Sequence, residues 1–362
     1  MSTFKVTVER VKEVQNHPNA DSLDICKVEG LAYSFVTGRD EVSVGDLVVY
    51  FPIESQLPEA VKAVFPEAIT KKLHGKNRDR VKTATLRGVI SQGLQVAVDK
   101  FPMDRFSVDL ALNESWKTPG YDLTTVLGVT KFEPPEEFSR KGVFVKTLPV
   151  ESPFYDIESC DRHLGIVRIL SSLPVLVTEK LEGTNFSLVS HTTGEIQVCQ
   201  RSFSLVPEDM NNINDTYWKA AIAQGLIETA KVMSHDRSAC ITLRGELLGP
   251  GIQKNIYGLS KHEIRIFDIM EDGQYIDAET FLFLIKNYEL KSVPILESGN
   301  TSFVEYINGR DIGEVADGES LLRPGILREG LVFRPMHEQA IFGFGRLILK
   351  QHSRKYLAKS SL

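Results

Sequence analysis

The first third of the chain alternates apolar and polar positions in short runs. Phe4-Lys5-Val6-Thr7-Val8-Glu9 and Leu47-Val48-Val49-Tyr50-Phe51 are two of them, and turn signals at Asn16-His17-Pro18-Asn19, Gly38 and Gly45-Asp46 separate such runs. Alternation with a period of two turns one side of each run to a core, and frequent breaks keep strands short. The pattern therefore predicts a small β-barrel or sandwich over residues 1–105. Val81-Lys82-Thr83-Ala84-Thr85-Leu86 predicts a further strand. From residue 151 onward the texture changes. Residues 156–170 predict a helix, and Leu173-Pro174-Val175-Leu176-Val177-Thr178 is an apolar β-branched run that predicts a buried strand. Ile264, Ile266 and Ile269 alternate around Phe267 in the same manner. Residues 106–150, with Pro119-Gly120 and Pro134-Pro135-Glu136-Glu137, are expected to connect the two regions.

Composition narrows the class. The chain has 362 residues, 42% hydrophobic and 25% charged, so it is expected to be an ordinary globular protein of two domains. Its start lacks the apolar core of a signal peptide, and no apolar run approaches a membrane span. Cys26, Cys160, Cys199 and Cys240 show no close pairing, which argues against zinc or a disulfide framework and for a cytoplasmic or otherwise intracellular setting. The net charge of −6 advertises no global attraction to nucleic acid. Locally the picture reverses. Between Lys71 and Arg87 there are seven basic residues (Lys71, Lys72, Lys76, Arg78, Arg80, Lys82 and Arg87) against one acid, Asp79. Gly75 and Asn77 within it suggest a flexible loop that contacts phosphates, the groups that dominate nucleic-acid affinity.

The chemistry concentrates at Thr178-Glu179-Lys180-Leu181-Glu182-Gly183-Thr184-Asn185-Phe186-Ser187. Lys180 ends the buried strand and precedes a polar glycine turn, where backbone can approach a ligand, so it is placed as a nucleophile. Four segments follow in order: Gln200-Arg201-Ser202-Phe203, Arg244-Gly245-Glu246-Leu247-Leu248-Gly249, Ile264-Arg265-Ile266-Phe267-Asp268-Ile269, and Glu329-Gly330-Leu331-Val332-Phe333-Arg334-Pro335. Lys350 ends a further run, Arg346-Leu347-Ile348-Leu349. The ordered set resembles the motifs of the covalent lysyl-nucleotidyltransferases, which comprise RNA ligases, DNA ligases and capping enzymes. Around Lys180 the sequence looks most like the RNA ligases that repair nicked duplexes.

That resemblance implies an ATP-dependent RNA ligase working through a lysyl-AMP and then an RNA-adenylate. The expected catalytic residues are Lys180, Glu246, Glu329 and Lys350. Glu179, Lys180, Leu181, Asn185, Arg201, Glu246, Phe267, Glu329 and Lys350 would form the nucleotide pocket. Within it, Arg201 is expected on the ribose and Phe267 on adenine. Glu182, Asn185, Glu246 and Glu329 would hold Mg2+ or Mn2+, largely through its waters. The residue types suit these roles, since guanidinium, ring and carboxylate match sugar hydroxyls, a purine face and a hard cation. Two departures stand out. Such ligases carry Lys-x-Lys in the last motif, whereas Lys350 is flanked at that spacing by Ile348 and His352, with Lys355 further on. Glu182 stands where many relatives have Asp. Arg162 and Arg168, on the predicted helix, are expected either on the triphosphate or on a solvated face.

Asn16-His17-Pro18-Asn19-Ala20-Asp21-Ser22-Leu23, continued by Cys26-Lys27-Val28-Glu29 and Val44-Gly45-Asp46-Leu47-Val48, resembles the opening of OB-fold tRNA-binding modules. An amino-terminal OB module before the ligase motifs is the layout of Deinococcus- and Naegleria-type RNA ligases. The chain stops twelve residues after Lys350, which leaves no room for the trailing OB module of DNA ligases and capping enzymes. The expectation is an α+β protein: an OB-fold β-barrel over 1–105, a connection over 106–150, and an adenylyltransferase domain of antiparallel sheets with flanking helices over 151–362. It would act on RNA, at nicks in duplexes, as a monomer without a membrane. The alternatives left open are a DNA-joining or capping enzyme, and a nucleic-acid-binding protein with an inactive nucleotidyltransferase domain.

Overall fold

The computed structural model describes residues 4–133, 143–211 and 213–360. The Pro134-Pro135-Glu136-Glu137 run lies outside the described residues. As far as they are described, Met1–Pro135, Cys160–Leu164 and Leu357–Leu362 make one compact unit, and Glu136–Ser159 with Gly165–Tyr356 make a second.

In the first unit, five strands pair in the order Ser34–Gly38, Leu23–Val28, Thr7–Asn16, Leu47–Phe51, Leu94–Ala97. All four pairings are antiparallel. The Leu47–Phe51 run is apolar throughout because it serves two cores. Val49 and Phe51 pack with Val6, Val8, Leu57 and Trp116, while Val48 and Tyr50 pack with Val11, Cys26, Val28 and Phe35. A strand buried on both sides has no polar face to alternate. Strand Thr7–Asn16 shifts register between Val11 and Glu13, the kind of bulge that bends a sheet toward closure.

The basic segment is folded rather than loose. The His74 N–H donates to the Arg80 carbonyl at 2.9 Å, and the Leu57 N–H to the Asp79 carbonyl at 2.7 Å. Thr83–Leu86 then forms an antiparallel hairpin with Val89–Gln92. The expectation of a flexible loop fails because these bonds run to Leu57 and to the segment's own far side.

The second unit holds two large sheets, besides the short pairing of Ala340–Ile341 with Gly345–Arg346. Seven strands pair in the order Val143–Thr147, Phe203–Pro207, Ile196–Cys199, Thr184–Ser190, Ile241–Leu248, Glu263–Glu271, Gln274–Tyr275. Five pair in the order Glu158–Ser159, Leu349–His352, Gly330–Pro335, Pro174–Lys180, Ile295–Ser302. Helices Thr216–Ala223, Leu226–Arg237 and Ala278–Asn287 pack apolar residues onto the larger sheet, with Phe186, Leu188, Leu243, Ile266, Trp218 and Phe281 in one core. The helix expected over 156–170 is confined to Leu164–Leu170. Upstream, Glu158–Ser159 pairs in parallel with Leu349 and Lys350, and Cys160–Arg162 is a 3-10 turn. Pairing to a neighbouring strand satisfies backbone groups that a helix would otherwise claim, so tertiary context overrides local preference.

Candidate active site

Strand register sets the site. Lys180 lies opposite Gly330, and Gly330 lies opposite His352, so three strands bring Lys180, Glu329 and His352 to one end of the smaller sheet. The strands approach so closely that a Cβ on Gly330 would stand 2.2 Å from the Gln351 carbonyl oxygen. Only glycine fits there. Lys180 Nζ donates to Glu329 Oε1 at 2.7 Å, and His352 Nε2 is 3.6 Å from the same oxygen. The side chains of Lys180 and Glu329 are only 25% and 15% exposed, which strengthens their attraction over that of a surface pair.

The turn after Lys180 carries it to the larger sheet. Asn185 pairs with Glu246 across strands Thr184–Ser190 and Ile241–Leu248. Gly183 packs so tightly there that a Cβ would stand 2.6 Å from the Leu247 carbonyl oxygen. The Glu246 carboxylate accepts the Gly183 N–H and feels both Lys180 and Glu329. Burial pushes its pKa up to about 8; Lys180 opposes this and Glu329 adds to it. Glu329 responds oppositely. Burial would raise it, but Lys180 and His352 beside it hold the carboxyl at about 2. For Lys180, desolvation pulls the pKa down, yet Glu329 and Glu246 together push it above the usual lysine value. Lys180 thus lowers both carboxyls, but only at Glu329, which it also hydrogen-bonds, does it outweigh burial; at Glu246 burial wins.

The remaining expected residues fall in and around this place. Lys350 lies on Leu349–His352, two residues from His352, and its Nζ is 3.3 Å from Asp156 Oδ1. Arg201 Nη2 is 3.6 Å from Asp156 Oδ2, and its guanidinium lies over the Phe154 ring at 4.6 Å. Phe267 stacks on Tyr155 with ring centroids 5.1 Å apart, and it packs against the cluster of Leu181, Leu248, Tyr257 and Val293. Leu181 is buried within that cluster. The buried carboxylate of Glu179 accepts the Ser320 hydroxyl and, at 2.8 Å, the Leu321 N–H. Glu182 accepts a hydrogen bond from the Tyr356 hydroxyl, and its own N–H donates to the Tyr257 hydroxyl at 2.8 Å. Lys355 points elsewhere: its Nζ is 3.9 Å from Asp317 Oδ2.

Glu182, Asn185, Glu246 and Glu329 do not converge as a chelating set. Among the described residues, no group of three or more His, Cys, Asp or Glu side chains is placed to hold a metal ion directly. The residues nonetheless suit a hard cation reached through water. Glu246 is a carboxyl that burial leaves short of positive charge, and a divalent ion would supply it.

Arg162 is not on a helix face. It donates to the Tyr33 hydroxyl at 3.2 Å and to the Ile53 carbonyl at 3.1 Å within the first unit. Arg168 is exposed on Leu164–Leu170. In the basic segment, Arg80 pairs with Glu54 and lies 3.7 Å over the Phe132 ring, so it holds the fold together. Lys71 pairs with Glu67 at 2.8 Å, and Lys82 is partly buried. Lys72, Lys76, Arg78 and Arg87 are exposed. Sequence reading passed over Phe154, Tyr155 and Asp156, whose only signal was an aromatic-acidic cluster ahead of the nucleophile strand.

A lysine at a strand end, faced by carboxylates and cations between two sheets that are antiparallel except for the Glu158–Ser159 edge, defines a nucleotidyltransferase-like domain. A family model for RNA ligase matches residues 173–352, and a model for an OB-fold domain matches residues 5–98. Solved structures of Naegleria gruberi RNA ligase are similar over nearly the whole chain. A lysine-to-alanine variant with ATP and Mn is 28% identical with a TM-score of 0.77, covering 99% of this chain and 100% of that one. A lysine-to-methionine variant with AMP and Mn is 28% identical with a TM-score of 0.76, covering 98% of each. The enzyme with PPi is 28% identical with a TM-score of 0.74, again covering 98% of each. The phenylalanine–tRNA ligase beta subunit of Burkholderia pseudomallei is 30% identical over 136 residues, 36% of this chain and only 15% of that protein's length. The chain belongs to the RNA ligase family. No helix among its described residues is long and apolar enough to cross a membrane.

Proposed function

We propose that this protein is an ATP-dependent ligase that seals 3′-hydroxyl and 5′-phosphate RNA ends at breaks held on a complementary strand, acting as a monomer in an intracellular compartment. The observation that carries the reading is Lys180 Nζ, 2.7 Å from Glu329 at the mouth of two sheets, with Glu246 and His352 around it. In the first step the neutral Nζ attacks the α-phosphorus of ATP. An N–P bond forms, the bond to the bridging oxygen breaks, pyrophosphate leaves, and the lysine's proton passes to solvent. A carboxyl held near 2 is a weak base, so Glu329 orients Lys180 rather than deprotonating it. Lys350 and Arg201 face the phosphate and ribose, and adenine takes the face of Phe267 that Tyr155 leaves. Glu246, Asn185, Glu329 and Glu182 would hold Mg2+ or Mn2+ through its waters, and the ion would neutralise the phosphate oxygens.

In this reading residues 1–105 engage RNA, 106–150 lead from them to the catalytic region while Trp116, Leu123 and Leu127 pack in the first unit's core, and 151–362 perform the chemistry. The bound nucleotides and Mn of the Naegleria enzyme structures support the choice of ATP and metal. The test is incubation with radiolabelled ATP or GTP and a divalent metal, then a denaturing gel and a nick-sealing assay. Label from ATP alone, with sealing of nicked RNA duplex, is expected. Label from GTP would point to capping, and no label to a binding protein with an inactive domain.

The exposed lysines and arginines of the first unit lead to a second expected outcome. Substituting Lys72, Lys76, Arg78 and Arg87 with alanine or glutamine should leave adduct formation from ATP intact and weaken nicked-RNA binding. The slope of log affinity against log salt should fall by up to roughly three to four ion-release units. Arg80 is left in place because its loss would unpair Glu54 and uncover Phe132. An unchanged salt slope would remove this segment from the RNA-binding surface.

A further inference from the structure

Three consecutive side chains of the second unit, Phe154, Tyr155 and Asp156, each hold a group assigned above to the nucleotide. Phe154 lies under Arg201, Tyr155 stacks on Phe267, and Asp156 receives both Arg201 and Lys350. Arg201 follows strand Ile196–Cys199 of the seven-stranded sheet, whereas Lys350 is on Leu349–His352 of the five-stranded sheet. One carboxylate thus ties cations from two sheets, using a different oxygen for each.

The segment's backbone is itself anchored on both sides. The Arg244 guanidinium donates to the Pro153 carbonyl at 2.6 Å, and Ser152 Oγ and Ser187 Oγ share a hydrogen bond of 2.7 Å. On the other side, Ser159 is in register with Lys350. Asp156 Oδ1 also accepts the Ile157 N–H at 2.9 Å, which fixes the carboxylate's rotation. The side chain is 29% exposed, so its charge acts with only partial screening by water.

We propose that Asp156 is a positioning residue for the nucleotide. It sets the distance and orientation of Lys350 and Arg201, whose like charges would otherwise splay apart before ATP arrives. The contacts of 3.3 and 3.6 Å are longer than a tight ion pair, so the cations are aimed but still able to engage the nucleotide's oxygens. Preorganised cations need no rearrangement at the moment of reaction, which is where such placement contributes most.

The inference rests on the ligase reading above, and the experiment separates the two. Adduct formation by the full chain is followed in single turnovers across a range of radiolabelled ATP concentrations, for wild type, Asp156→Asn and Asp156→Glu. The half-saturating ATP concentration of Asp156→Asn should rise about tenfold with a smaller change in maximal rate, and Asp156→Glu should recover part of the loss. Thermal midpoints should stay together. If wild type forms no adduct, the ligase reading fails. With wild-type adduct formation, an unchanged half-saturation in Asp156→Asn overturns the inference. So does a lower half-saturation, which would make Asp156 a stand-in that competes with ATP. A lower thermal midpoint with reduced rate at unchanged half-saturation would make the residue structural, and equally overturns it.

Discussion

Lys180→Met is expected to form no detectable covalent adduct with AMP while retaining a wild-type fold. The methionine keeps an unbranched chain of similar length, so it can fill the space of the lysine stem beside Gly330 and Leu181. What it lacks is an electron pair able to form an N–P bond. Two effects set the folding cost: the methionine keeps most of the packing of a side chain that is only one quarter exposed, but Glu329 loses the partner that holds its carboxyl near 2. That carboxyl should therefore rise in the variant. Its stabilising share, present above its unfolded value and lost as pH falls toward about 2, shrinks accordingly. A modest drop in thermal midpoint at neutral pH, with no label after ATP incubation, is the expected pair of results. Sealing of RNA that already carries a 5′-adenylate does not need the lysyl-AMP and should survive better than sealing from ATP. A variant that still labels at the wild-type yield would place the nucleophile elsewhere.

Lys180 was legible in the sequence because the chemistry crowds its needs into neighbouring residues: a buried strand, a lysine, then a turn whose glycine packs tightly. Glu246, Glu329 and Lys350 were legible for the same reason, each sitting in its own short pattern. Their mutual influence was not. The rise of Glu246 to about 8 beside the fall of Glu329 to about 2 depends on burial and on which carboxylate lies nearer Lys180, facts set by strand register. Asp156 was hidden because its partner Lys350 is 194 residues away in the chain. The charge run Lys71–Arg87 looked uniform, yet Arg80 belongs to Glu54, 26 residues upstream, and to Phe132. The helix expected over 156–170 shrank because Glu158 and Ser159 pair with a strand nearly two hundred residues downstream. In each case the missing information was a long-range pairing, which local periodicity does not carry.

Glu329→Gln is expected to slow adduct formation by on the order of 100-fold or more at neutral pH, as for loss of a preorganised charged group in a phosphoryl-transfer site. Two effects of the substitution oppose each other. Glu329 and Glu246 hold Lys180 protonated, and the attacking form is neutral, so removing one negative charge lowers the lysine's pKa and makes the nucleophile more available. Against this stand the lost orientation of Nζ at 2.7 Å and the lost negative charge facing a divalent cation. Orientation and charge placement dominate because a lysine gains at most a modest factor from a shifted pKa, whereas a misdirected nucleophile loses much of its effective concentration. The opposing term leaves a signature in the pH profile. The rate should rise with pH as Lys180 loses its proton, and in Glu329→Gln that rising limb should move to lower pH even though every point lies below wild type. Glu246→Gln should move the limb in the same direction, and less, because Glu329 is the larger cause of the raised lysine pKa. Measuring single-turnover adduct formation from pH 6 to 12 at saturating ATP and magnesium, far enough to see each limb level off, separates these contributions. A slow variant whose limb stays where wild type has it would mean that Glu329 does not control the protonation of Lys180. A variant with near-wild-type rates throughout would mean that the 2.7 Å contact belongs to the resting enzyme alone.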